Sequence, residues 1–291
     1  MINIATIQDL RAHISTARLS GKRIGCVPTM GALHAGHLSL MQAAKRETDY
    51  VVTTIFVNPT QFGADEDLSK YPRPLQDDLN RCREAGVDLV FHPEIEVIYP
   101  CNNTTFVEVP GLSEILEGSS RPGHFRGVTT VVLKLLHMVL PDAAYFGRKD
   151  YQQQLLIRRM VRDLNVPVEI RTCPTVRDPD GLAMSSRNTY LNRTERRAAL
   201  ELSRSLEHIR VQFEEDGITP AEACSTLQQM LSANPGLLID YATIVDSETL
   251  QEVDETTSSS AGLIALVAAQ AGSTRLIDNQ PLQRTMRDPL S

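Results

Sequence analysis

The chain has 291 residues, enough for one large domain or two ordinary domains with a sizeable core. Its hydrophobic content of 42% and charged content of 22% are ordinary for a globular protein. The net charge of −7 gives no electrostatic reason to expect a nucleic-acid partner, so a DNA-binding module is disfavoured.

The first predicted elements frame the most informative stretch of the chain. Residues 6–19 are typical of a short amphipathic helix, and the apolar run 24–27 predicts a strand. The turn PTMGALHAGH follows at 28–37 and leads into residues 38–45, whose apolar side chains have helical spacing. In an open α/β sheet, ligands dock beyond the carboxyl end of a strand, and a helix N-terminus favours anions, phosphates above all.

Two glycines and two histidines give this turn its chemical interest. Gly31 and Gly36 are expected to let the backbone turn sharply and approach a ligand. His34 and His37 are three residues apart, so both rings can point to one side of the first helical turn. The plainest interpretation is two packed or solvated histidines, and a metal pair is disfavoured because no third ligand is nearby. The remaining interpretation is a pair of imidazoles that donate hydrogen bonds to a polyphosphate as charge builds on it.

The next elements alternate between strand and helix. A β-branched, almost wholly apolar run at 50–57 predicts a buried parallel strand, and a loop follows at 58–67. A helix is predicted at 75–85, closed by Gly86, with a strand at 87–91. This alternation predicts a parallel sheet with helices on both faces.

The middle of the chain is less regular but keeps the alternation. An alternating strand is predicted at 105–109, and an exposed polar loop at 118–127. The elements predicted after it are a helix at 128–140, a strand at 143–146, a helix at 150–165 and a strand at 168–172. Residues 1–176 are therefore predicted to form a doubly wound α/β domain with a Rossmann-like parallel sheet.

The character of the sequence changes after residues 177–181. Thr194 is the predicted cap of a helix with an apolar stripe, and TPAE at 219–222 has the form of a capping box. A solvated loop is predicted at 252–260, and strands are predicted at 238–245, 263–269 and 274–277. Residues 177–291 are therefore predicted to form a smaller α+β domain with the role of a lid.

Two further segments combine small residues with cations. The segment FGRKDYQQ at 146–153 repeats the pattern of a strand, a glycine turn and the start of a helix. At such a turn the Lys149 ammonium can contact phosphate oxygens. In GLAMSSR at 181–187, the two hydroxyls and the Arg187 guanidinium suit triphosphate oxygens. Taken alone, Lys149 fits an ordinary surface lysine and GLAMSSR a plain turn. Together with the histidine turn, the segments favour a nucleotide site.

Neutral amides and a pair of acids complete the candidate site. Asn58, Gln61 and Gln153 offer donors and acceptors without adding charge, which suits a small hydroxy acid. Each amide taken alone also fits a surface position. Asp77 and Asp78 lie in an acidic helix turn, for which a solvated face is the simpler interpretation. A carboxylate beside a polyphosphate could also reach Mg²⁺, directly or through water.

These segments carry a resemblance to a known family. The turn at 28–37 resembles the HIGH-type signature of a nucleotidyltransferase superfamily, and GLAMSSR resembles its second, flexible signature. Strings that resemble the pantoate–β-alanine ligase family run through nearly the whole chain: IFVNPTQF at 55–62, YPR at 71–73, LEGSSRPGHFRG at 116–127, GRKDYQQ at 147–153, LAMSSRN at 182–188 and RLIDN at 275–279. The resemblance implies ATP-dependent joining of (R)-pantoate to β-alanine through a pantoyl adenylate, with release of AMP and pyrophosphate. That reaction makes pantothenate (vitamin B5), which leads to coenzyme A.

The same resemblance implies a nucleotide site with a small catalytic group. ATP is expected to be bound by Met30, Gly31, Ala32, Leu33, His34, Ala35, Gly36, His37, Gly147, Arg148, Lys149, Asp150, Val176, Met184, Ser185, Ser186 and Arg187. His37 takes the place that the family describes as proton donor. His34, Lys149 and Arg187 are expected to share the catalytic work with it, since they and Mg²⁺ would offset the repulsion between two anions.

The resemblance also implies where the second substrate binds. Gln61 and Gln153 are expected to hold pantoate, with Gln61 also near β-alanine and Asn58 in the same group. Arg148 departs from the Glu or Gln of the family at its position, and it adds positive charge near the nucleotide. Asp77 and Asp78 are the candidate Mg²⁺ ligands.

The chemistry of an acyl adenylate predicts a cover over the site. The adenylate hydrolyses readily, so water must be kept out until the amine arrives. The loop 61–74 and the turn 185–186 are the candidates for that cover, and the family resemblance implies a homodimer with a contact at 106–109. Two other functions stay open: a nucleotidyltransferase that leaves the adenylyl group on its product, and a non-catalytic ATP-binding regulator.

Cysteine usage and targeting signals indicate the compartment. The five cysteines are scattered, odd in number and form no C-x-x-C, which is typical of reduced thiols. The first ten residues lack the basic and apolar regions of a secretory signal, and the most apolar run, 261–269, is too short to span a bilayer. A cytoplasmic protein without a membrane partner is therefore expected.

Overall fold

The computed structural model describes residues 1–63, 66–253 and 262–283. The chain divides into two compact units, Met1–Thr175 and Val176–Ser291. This boundary lies one residue before the predicted one, so Val176 belongs to the second unit. Most of the loop predicted at 252–260, and the first residue of the apolar run 261–269, lie outside the described residues.

A six-stranded parallel sheet forms the centre of the first unit. Its strands are β1 Ile2–Ile4, β2 Ile24–Thr29, β3 Tyr50–Ile55, β4 Leu89–Phe91, β5 Ala143–Gly147 and β6 Glu169–Cys173. Their order is β1-β4-β3-β2-β5-β6, and every neighbouring pair is parallel. The chain runs outward from β2 in both directions, so the carboxyl end of β2 is the switch point at which ligands dock in such sheets.

Helices cover both faces of this sheet, as the strand and helix alternation predicts. They are α1 Ile7–Leu19, α2 Ala35–Glu47, α3 Leu75–Glu84, α4 Ile95–Ile98, α5 Glu117–Ser120, α6 His124–Val139 and α7 Tyr151–Asp163. Helices α1, α6 and α7 pack on one face, which includes Cys26 of β2. Helices α2 and α3 pack on the other, which includes Val27. Successive strand residues thus point to opposite buried layers, and the predicted α/β fold class is confirmed.

A three-stranded antiparallel sheet with two long helices forms the second unit. The elements are α8 Arg193–Val211, α9 Pro220–Ser232, β7 Leu237–Asp246, β8 Leu263–Ala271 and β9 Thr274–Leu282, with the strands in the order β7-β8-β9. Leu202 and Leu206 of α8 and Leu227 of α9 pack against Val267 of β8, among others. The capping box predicted at 219–222 is present.

The cap of α8 differs from the prediction. Asn192 is the capping residue, because its side-chain oxygen accepts the N–H groups of Thr194 and Glu195 at 2.9 and 3.0 Å. The Glu195 carboxylate in turn accepts the Asn192 N–H. Thr194 therefore lies inside the first turn of α8. The capping residue is two positions before the predicted cap, Thr194.

The strand predicted at 105–109 is wrong. Within the described ranges the segment is not part of a strand or a sheet, and hydroxyl groups of α6 form hydrogen bonds with its backbone instead. The Val107 N–H donates to Thr130 Oγ1 at 2.9 Å, and Thr129 Oγ1 donates to the Val107 carbonyl at 2.6 Å. An alternating pattern predicts an extended backbone, whereas the partner of that backbone lies more than 20 residues away.

The exposed loop predicted at 118–127 is also wrong. Residues in it form α5 and the first turn of α6, and His124, Phe125 and Gly127 are buried. An added Cβ on Gly127 would lie 2.4 Å from the Thr60 carbonyl oxygen, so the two backbones are in close contact. The polar composition misled the prediction, because two of the polar side chains, Arg121 and His124, form hydrogen bonds within the protein.

Short elements of the first unit escaped prediction as well. β1 has three residues, too few for a periodic pattern, yet it extends the sheet by pairing with β4.

Among the described residues, no helix combines the length and the hydropathy that a membrane span requires.

Candidate active site

The turn after β2 reaches the switch point of the sheet with a left-handed backbone. Gly31 has a φ of +80°, and an added Cβ would lie 2.9 Å from Asp78 Oδ2 and 3.1 Å from Ile55 Cγ2. Ala32 follows with a φ of +49°, a conformation that costs a residue with a Cβ about 1–2 kcal/mol. The sharp bend is therefore made at Gly31 and Ala32, whereas Gly36 lies inside the first turn of α2.

A buried carboxylate holds this bend in place. Asp78 on α3 is 1% exposed, and its two oxygens accept the N–H groups of Ala32 and Leu33 at 2.9 and 2.8 Å. Burial raises the pKa of Asp78, and these two backbone hydrogen bonds oppose the shift. Asp78 thus positions the turn, while its neighbour Asp77 is exposed. Among the described residues, no three His, Cys, Asp or Glu side chains are grouped to hold a metal ion.

The two histidines cap the N-terminus of α2 reciprocally. His34 Nδ1 accepts the Gly36 N–H at 3.2 Å, and His37 Nδ1 accepts the His34 N–H at 3.2 Å. Their ring centroids lie 4.1 Å apart. A ring nitrogen that accepts a hydrogen bond carries no proton, so each neutral ring carries its proton on Nε2. The predicted placement of both rings on one side of the turn is observed.

The charge state of His37 follows from its surroundings. Burial, with smaller contributions from the nearby His34 and Lys149, lowers its pKa to about 3. His37 is therefore neutral near pH 7 in the absence of ligand. Because Lys149 acts electrostatically on the His37 ring, the two side chains lie near each other. The structure thus brings the predicted residues His34, His37 and Lys149 together.

The second predicted segment leaves the sheet beside the first, because β5 pairs with β2. Gly147 ends β5, and an added Cβ there would meet no atom within 4 Å, so the space beside it is open. The Arg148 N–H donates to the last carbonyl of β6 at 2.8 Å. Lys149 and Asp150 follow directly, with Asp150 preceding the first residue of α7.

The side chain of Asn58, one of the predicted substrate-binding amides, forms its hydrogen bonds with other residues of the protein. Its Nδ2 donates to Gln61 Oε1 at 3.0 Å and to the Gly127 carbonyl at 3.1 Å. Its Oδ1 accepts from Tyr99 Oη and Thr60 Oγ1, both at 2.9 Å. Both amide hydrogens and the oxygen are thus used, and the side chain is 1% exposed. The structure gives Asn58 a supporting role for Gln61 in place of the expected substrate contact.

Gln61 itself is buried with its amide orientation fixed. Because Asn58 occupies Oε1, the amide nitrogen is the end that faces Met30, with Nε2 3.0 Å from Sδ. Gln153 lies half-buried on the first turn of α7, four residues after Lys149. Gln61 therefore offers amide hydrogens beside the histidine turn.

A partly buried ionic cluster supports Gln61 from the other side. Arg121 forms a two-pronged ion pair with Glu66, at 2.8 Å from Nε and 2.6 Å from Nη2. Arg121 Nη1 lies 3.0 Å from His124 Nε2, and His124 Nδ1 lies 2.8 Å from the Gln61 carbonyl oxygen. Since that carbonyl can only accept, Nδ1 carries the proton and Nε2 accepts from Arg121. Burial, with Arg121 beside it, lowers the pKa of His124 to about 4, so the ring is neutral.

A cavity of about 220 Å³ opens next to the histidine turn. Met30 and Gly31 after β2, Phe56 after β3 and His92 after β4 line it, together with Asp78. The cavity therefore lies at the carboxyl ends of three neighbouring strands and shares two residues with the predicted ATP site.

The remaining predicted ATP residues belong to the second unit. The Met184 N–H donates to the Val176 carbonyl at 3.0 Å, which closes a short hairpin. Ser185 Oγ accepts the Arg187 N–H at 3.2 Å and caps a 3₁₀ turn, Ser186–Tyr190. Side-chain hydroxyls and the Arg187 guanidinium are thus presented from one compact turn.

Comparison with known proteins decides the family. The sequence model of a family described as pantoate-beta-alanine ligase matches residues 3–281. The chain belongs to the pantoate–β-alanine ligase family. It is accordingly an ATP-dependent ligase of pantoate and β-alanine.

Individual relatives of this ligase match it over nearly their full length. A pantothenate synthetase of Moorella thermoacetica is 51% identical over 282 residues, which cover 96% of this chain and 98% of the relative. One of Koribacter versatilis is 50% identical, covering 96% and 95%. The crystal structure of pantothenate synthetase from Thermus thermophilus superimposes with a TM-score of 0.90 at 46% identity, covering 96% and 99%. A pantoate-beta-alanine ligase from Francisella tularensis, complexed with "Beta-gamma ATP" and β-alanine, gives 0.77 at 36% identity, covering 97% of each chain.

Sequence reasoning missed the supporting residues of this ligase. Glu66, Arg121 and His124 were not chosen, although Arg121 and His124 lie in the string LEGSSRPGHFRG that carried the resemblance. The available signal was an Arg and a His three residues apart, with Pro122 and Gly123 between them. Its meaning depends on Glu66, which is 55 residues from Arg121 in the chain.

Proposed function

We propose that this ligase works in two steps at the histidine turn of the first unit. In the first, a carboxylate oxygen of pantoate attacks the α-phosphorus of ATP, and the bond from that phosphorus to the bridging oxygen breaks. The products are pantoyl adenylate and pyrophosphate. In the second, the amine of β-alanine attacks the acyl carbon, loses a proton and expels AMP, leaving the amide pantothenate.

The reciprocal histidine cap carries this proposal. Attack of one anion on another requires positive ends and hydrogen-bond donors that are in place beforehand. The N-terminus of α2 supplies the positive end of a helix dipole, and Nε2–H of His34 and His37 supplies two donors fixed by the backbone. Lys149 adds a positive charge close to His37. A neutral His37 enters the reaction as a hydrogen-bond donor, and charge developing on pyrophosphate then favours its protonation.

The full ATP site in this proposal follows the family resemblance. The resemblance assigns to ATP the residues Met30, Gly31, Ala32, Leu33, His34, Ala35, Gly36, His37, Gly147, Arg148, Lys149 and Asp150. It also assigns Val176, Met184, Ser185, Ser186 and Arg187 to ATP. Hydroxyls and a guanidinium suit phosphate oxygens because they donate several hydrogen bonds at once.

Pantoate and β-alanine are placed by the amides. Gln61 presents its amide nitrogen beside Met30, which suits the oxygens of a hydroxy acid. Gln153 is the second amide assigned to pantoate, and Asn58 acts through Gln61. The loop 61–74 and the turn 185–186 are the proposed covers that keep water from the adenylate.

Magnesium belongs in this proposal as a companion of ATP. Asp77 and Asp78 do not fit a shared metal site, because Asp77 is exposed and each Asp78 oxygen already accepts a backbone N–H. Mg²⁺ is commonly held largely by substrate phosphates and water. We therefore assign Mg²⁺ to the phosphates of the nucleotide.

Assembly and compartment are further parts of the proposal. Phe106 is 47% exposed and stacked by Arg126, which gives the segment 106–109 an exposed aromatic ring suited to a homodimer contact. A monomer at working concentration in light scattering would remove that assignment. All five cysteines, each within the described residues, are free thiols, which suits the reducing cytoplasm.

Isotope exchange and product release test the two steps. With ATP and pantoate alone, the enzyme is expected to exchange labelled pyrophosphate into ATP, and stoichiometric release of AMP is expected to require β-alanine. Exchange that needs β-alanine would contradict a separate adenylate. AMP release that never depends on the amine would count against ligation. An adenylylated product that accumulates without AMP release, even with β-alanine present, would favour the other class, a nucleotidyltransferase that leaves the adenylyl group on its product.

A further inference from the structure

The segment that presents Ser185, Ser186 and Arg187 begins as a closed hairpin. Arg177 and Ala183 form an antiparallel bridge, and the Asp178 N–H donates to the Leu182 carbonyl at 2.8 Å. Gly181, with a φ of +99°, makes the turn between these two arms. The backbone of 176–184 is therefore paired along its length, unlike a flexible loop.

An ion pair with little exposure fastens one arm of the hairpin to the small sheet. Arg177 Nη1 and Nη2 donate to the two oxygens of Asp278 on β9, at 2.6 and 3.1 Å. The Asp278 side chain is 2% exposed. Arg177 Nη1 also donates to the Gly181 carbonyl at 3.2 Å, so one guanidinium joins the sheet to the tip of the turn.

A second arginine fastens the turn to α8. Arg196 Nη2 donates to Asp178 Oδ2 at 2.7 Å, while Nε and Nη2 donate to the two oxygens of Asp180 at 2.7 and 3.0 Å. These hydrogen bonds hold the pKa of Asp180 below its usual range. Asn188, just beyond the functional residues, donates to the Ala183 carbonyl at 3.1 Å. The segment is thus fixed before and after Ser185–Arg187.

We propose that Arg177, Arg196 and Asp278 are positioning residues that hold 184–187 in one preformed arrangement, so that this signature reaches ATP as a rigid element. The inference rests on the proposed function, which assigns Met184, Ser185, Ser186 and Arg187 to ATP. Its consequence is that the turn 185–186 does not open and close by itself. Any movement of these side chains is a movement of the hairpin with α8 and β9.

The closing experiment compares two arginines of the same helix. Arg196→Gln removes the clamp on the hairpin, and Arg210→Gln is the matched control. Arg210 also pairs with two carboxylates, Glu207 and Glu214, but neither belongs to the hairpin. We measure kcat and KM for ATP and pantoate, together with amide hydrogen exchange of the segment 178–188, in the full-length enzyme.

Arg196→Gln is expected to lower kcat/KM for ATP by about 10- to 100-fold while leaving KM for pantoate unchanged. Exchange of 178–188 is expected to accelerate, whereas Arg210→Gln changes neither quantity. Arg196→Lys is expected to recover only part of the loss, because an ammonium cannot reproduce the fork that bridges two carboxylates. If Arg196→Gln fails to fold, Asp180→Asn tests the same clamp from its more exposed partner.

Two outcomes separate this inference from the proposed function. If Arg187→Ala abolishes ATP-dependent turnover but Arg196→Gln behaves like Arg210→Gln in both kinetics and exchange, the positioning role is overturned and the proposed function stands. If Arg187→Ala leaves turnover unchanged, the assignment of this segment to ATP fails first.

Discussion

The two signature turns of this ligase reach a similar end by opposite physical means. The histidine turn at 28–37 is held by backbone hydrogen bonds to its own imidazoles and by one buried carboxylate, Asp78. The hairpin at 176–188 is held by arginine–aspartate pairs. The first turn therefore depends on the His37 imidazole staying neutral and on the buried Asp78 acceptor, whereas the second depends on buried and partly exposed charges staying paired. The first should therefore respond to pH and the second to loss of a single guanidinium.

Of the substitutions that test this comparison, removal of the His37 ring is expected to have the largest effect on turnover. His37→Ala loses both a donor to the nucleotide and the acceptor that caps the His34 N–H, so turnover is expected to fall by at least about 10²-fold. Steady-state kinetics with saturating pantoate and β-alanine measure it. His208→Ala on the exposed end of α8 is the control and is expected to keep wild-type turnover. Unchanged turnover in His37→Ala would remove the role assigned to the ring.

The neighbouring aspartates give the next largest effect. Asp78→Asn puts an amide donor against one of two backbone N–H groups, which is expected to cost about 1–3 kcal/mol of stability and at least about tenfold in kcat/KM. Asp77→Asn is the matched control and is expected to stay within about 0.5 kcal/mol. Chemical denaturation and kinetics at several Mg²⁺ concentrations measure both variants. A defect in Asp77→Asn that added Mg²⁺ repairs would instead restore the pair as a metal site.

Acid is expected to destabilise the first unit through its buried imidazoles. In the unfolded chain a histidine titrates near 6.5, whereas the folded pKa is about 3 for His37 and about 4 for His124. The unfolded state therefore binds more protons between these values, and stability present above pH 6.5 is lost as pH falls towards 4. At pH 5 each ring is expected to lower the free energy of unfolding by about 2 kcal/mol relative to its value at pH 7.5.

Urea unfolding at the two pH values measures this loss. His124→Gln is expected to lose one of the two contributions, so its stability should fall by less between pH 7.5 and pH 5 than that of the wild type. An equal fall in both proteins would show that His124 is not held neutral by the fold.

The smallest expected effect distinguishes the two contacts of His124. An Asn side chain can place an N–H near the position of Nδ1, whereas a Gln side chain reaches towards Nε2. His124→Asn is therefore expected to keep the bond to the Gln61 carbonyl and a KM for pantoate close to wild type. His124→Gln is expected to raise that KM by about 2- to 10-fold, the worth of one hydrogen bond. Equal KM values in the two variants would deny that His124 orients Gln61.

Much of this fold was predictable because its signals are local. Alternation of strand and helix predicts the parallel sheet, and the glycine turn before α2 identifies the ligand edge without further information. Even the pairing of His34 with His37 follows from a spacing of three residues. Local patterns therefore determined the elements that carry the chemistry.

The supporting contacts were not predictable because they join distant parts of the chain. Asp78 lies 45 and 46 residues from the N–H groups that it accepts. Asn58 becomes saturated only through Tyr99 and Gly127. The segment at 105–109 has the alternation of a strand, but the hydroxyls of α6 satisfy its backbone. In each case the sequence shows the residue type but does not show its hydrogen-bond partner.

The central claim, that His37 meets the nucleotide as a neutral Nε2–H donor, is most directly tested by nitrogen NMR of ¹⁵N-histidine-labelled enzyme. The account predicts that the His37 ring, assigned with His37→Gln, stays neutral with its proton on Nε2 from pH 7.5 to pH 5. It also predicts that addition of ATP shifts its Nε2 signal while His208 is unmoved. A His37 ring that is protonated at pH 7 without ligand, or that ATP leaves unchanged, would contradict it.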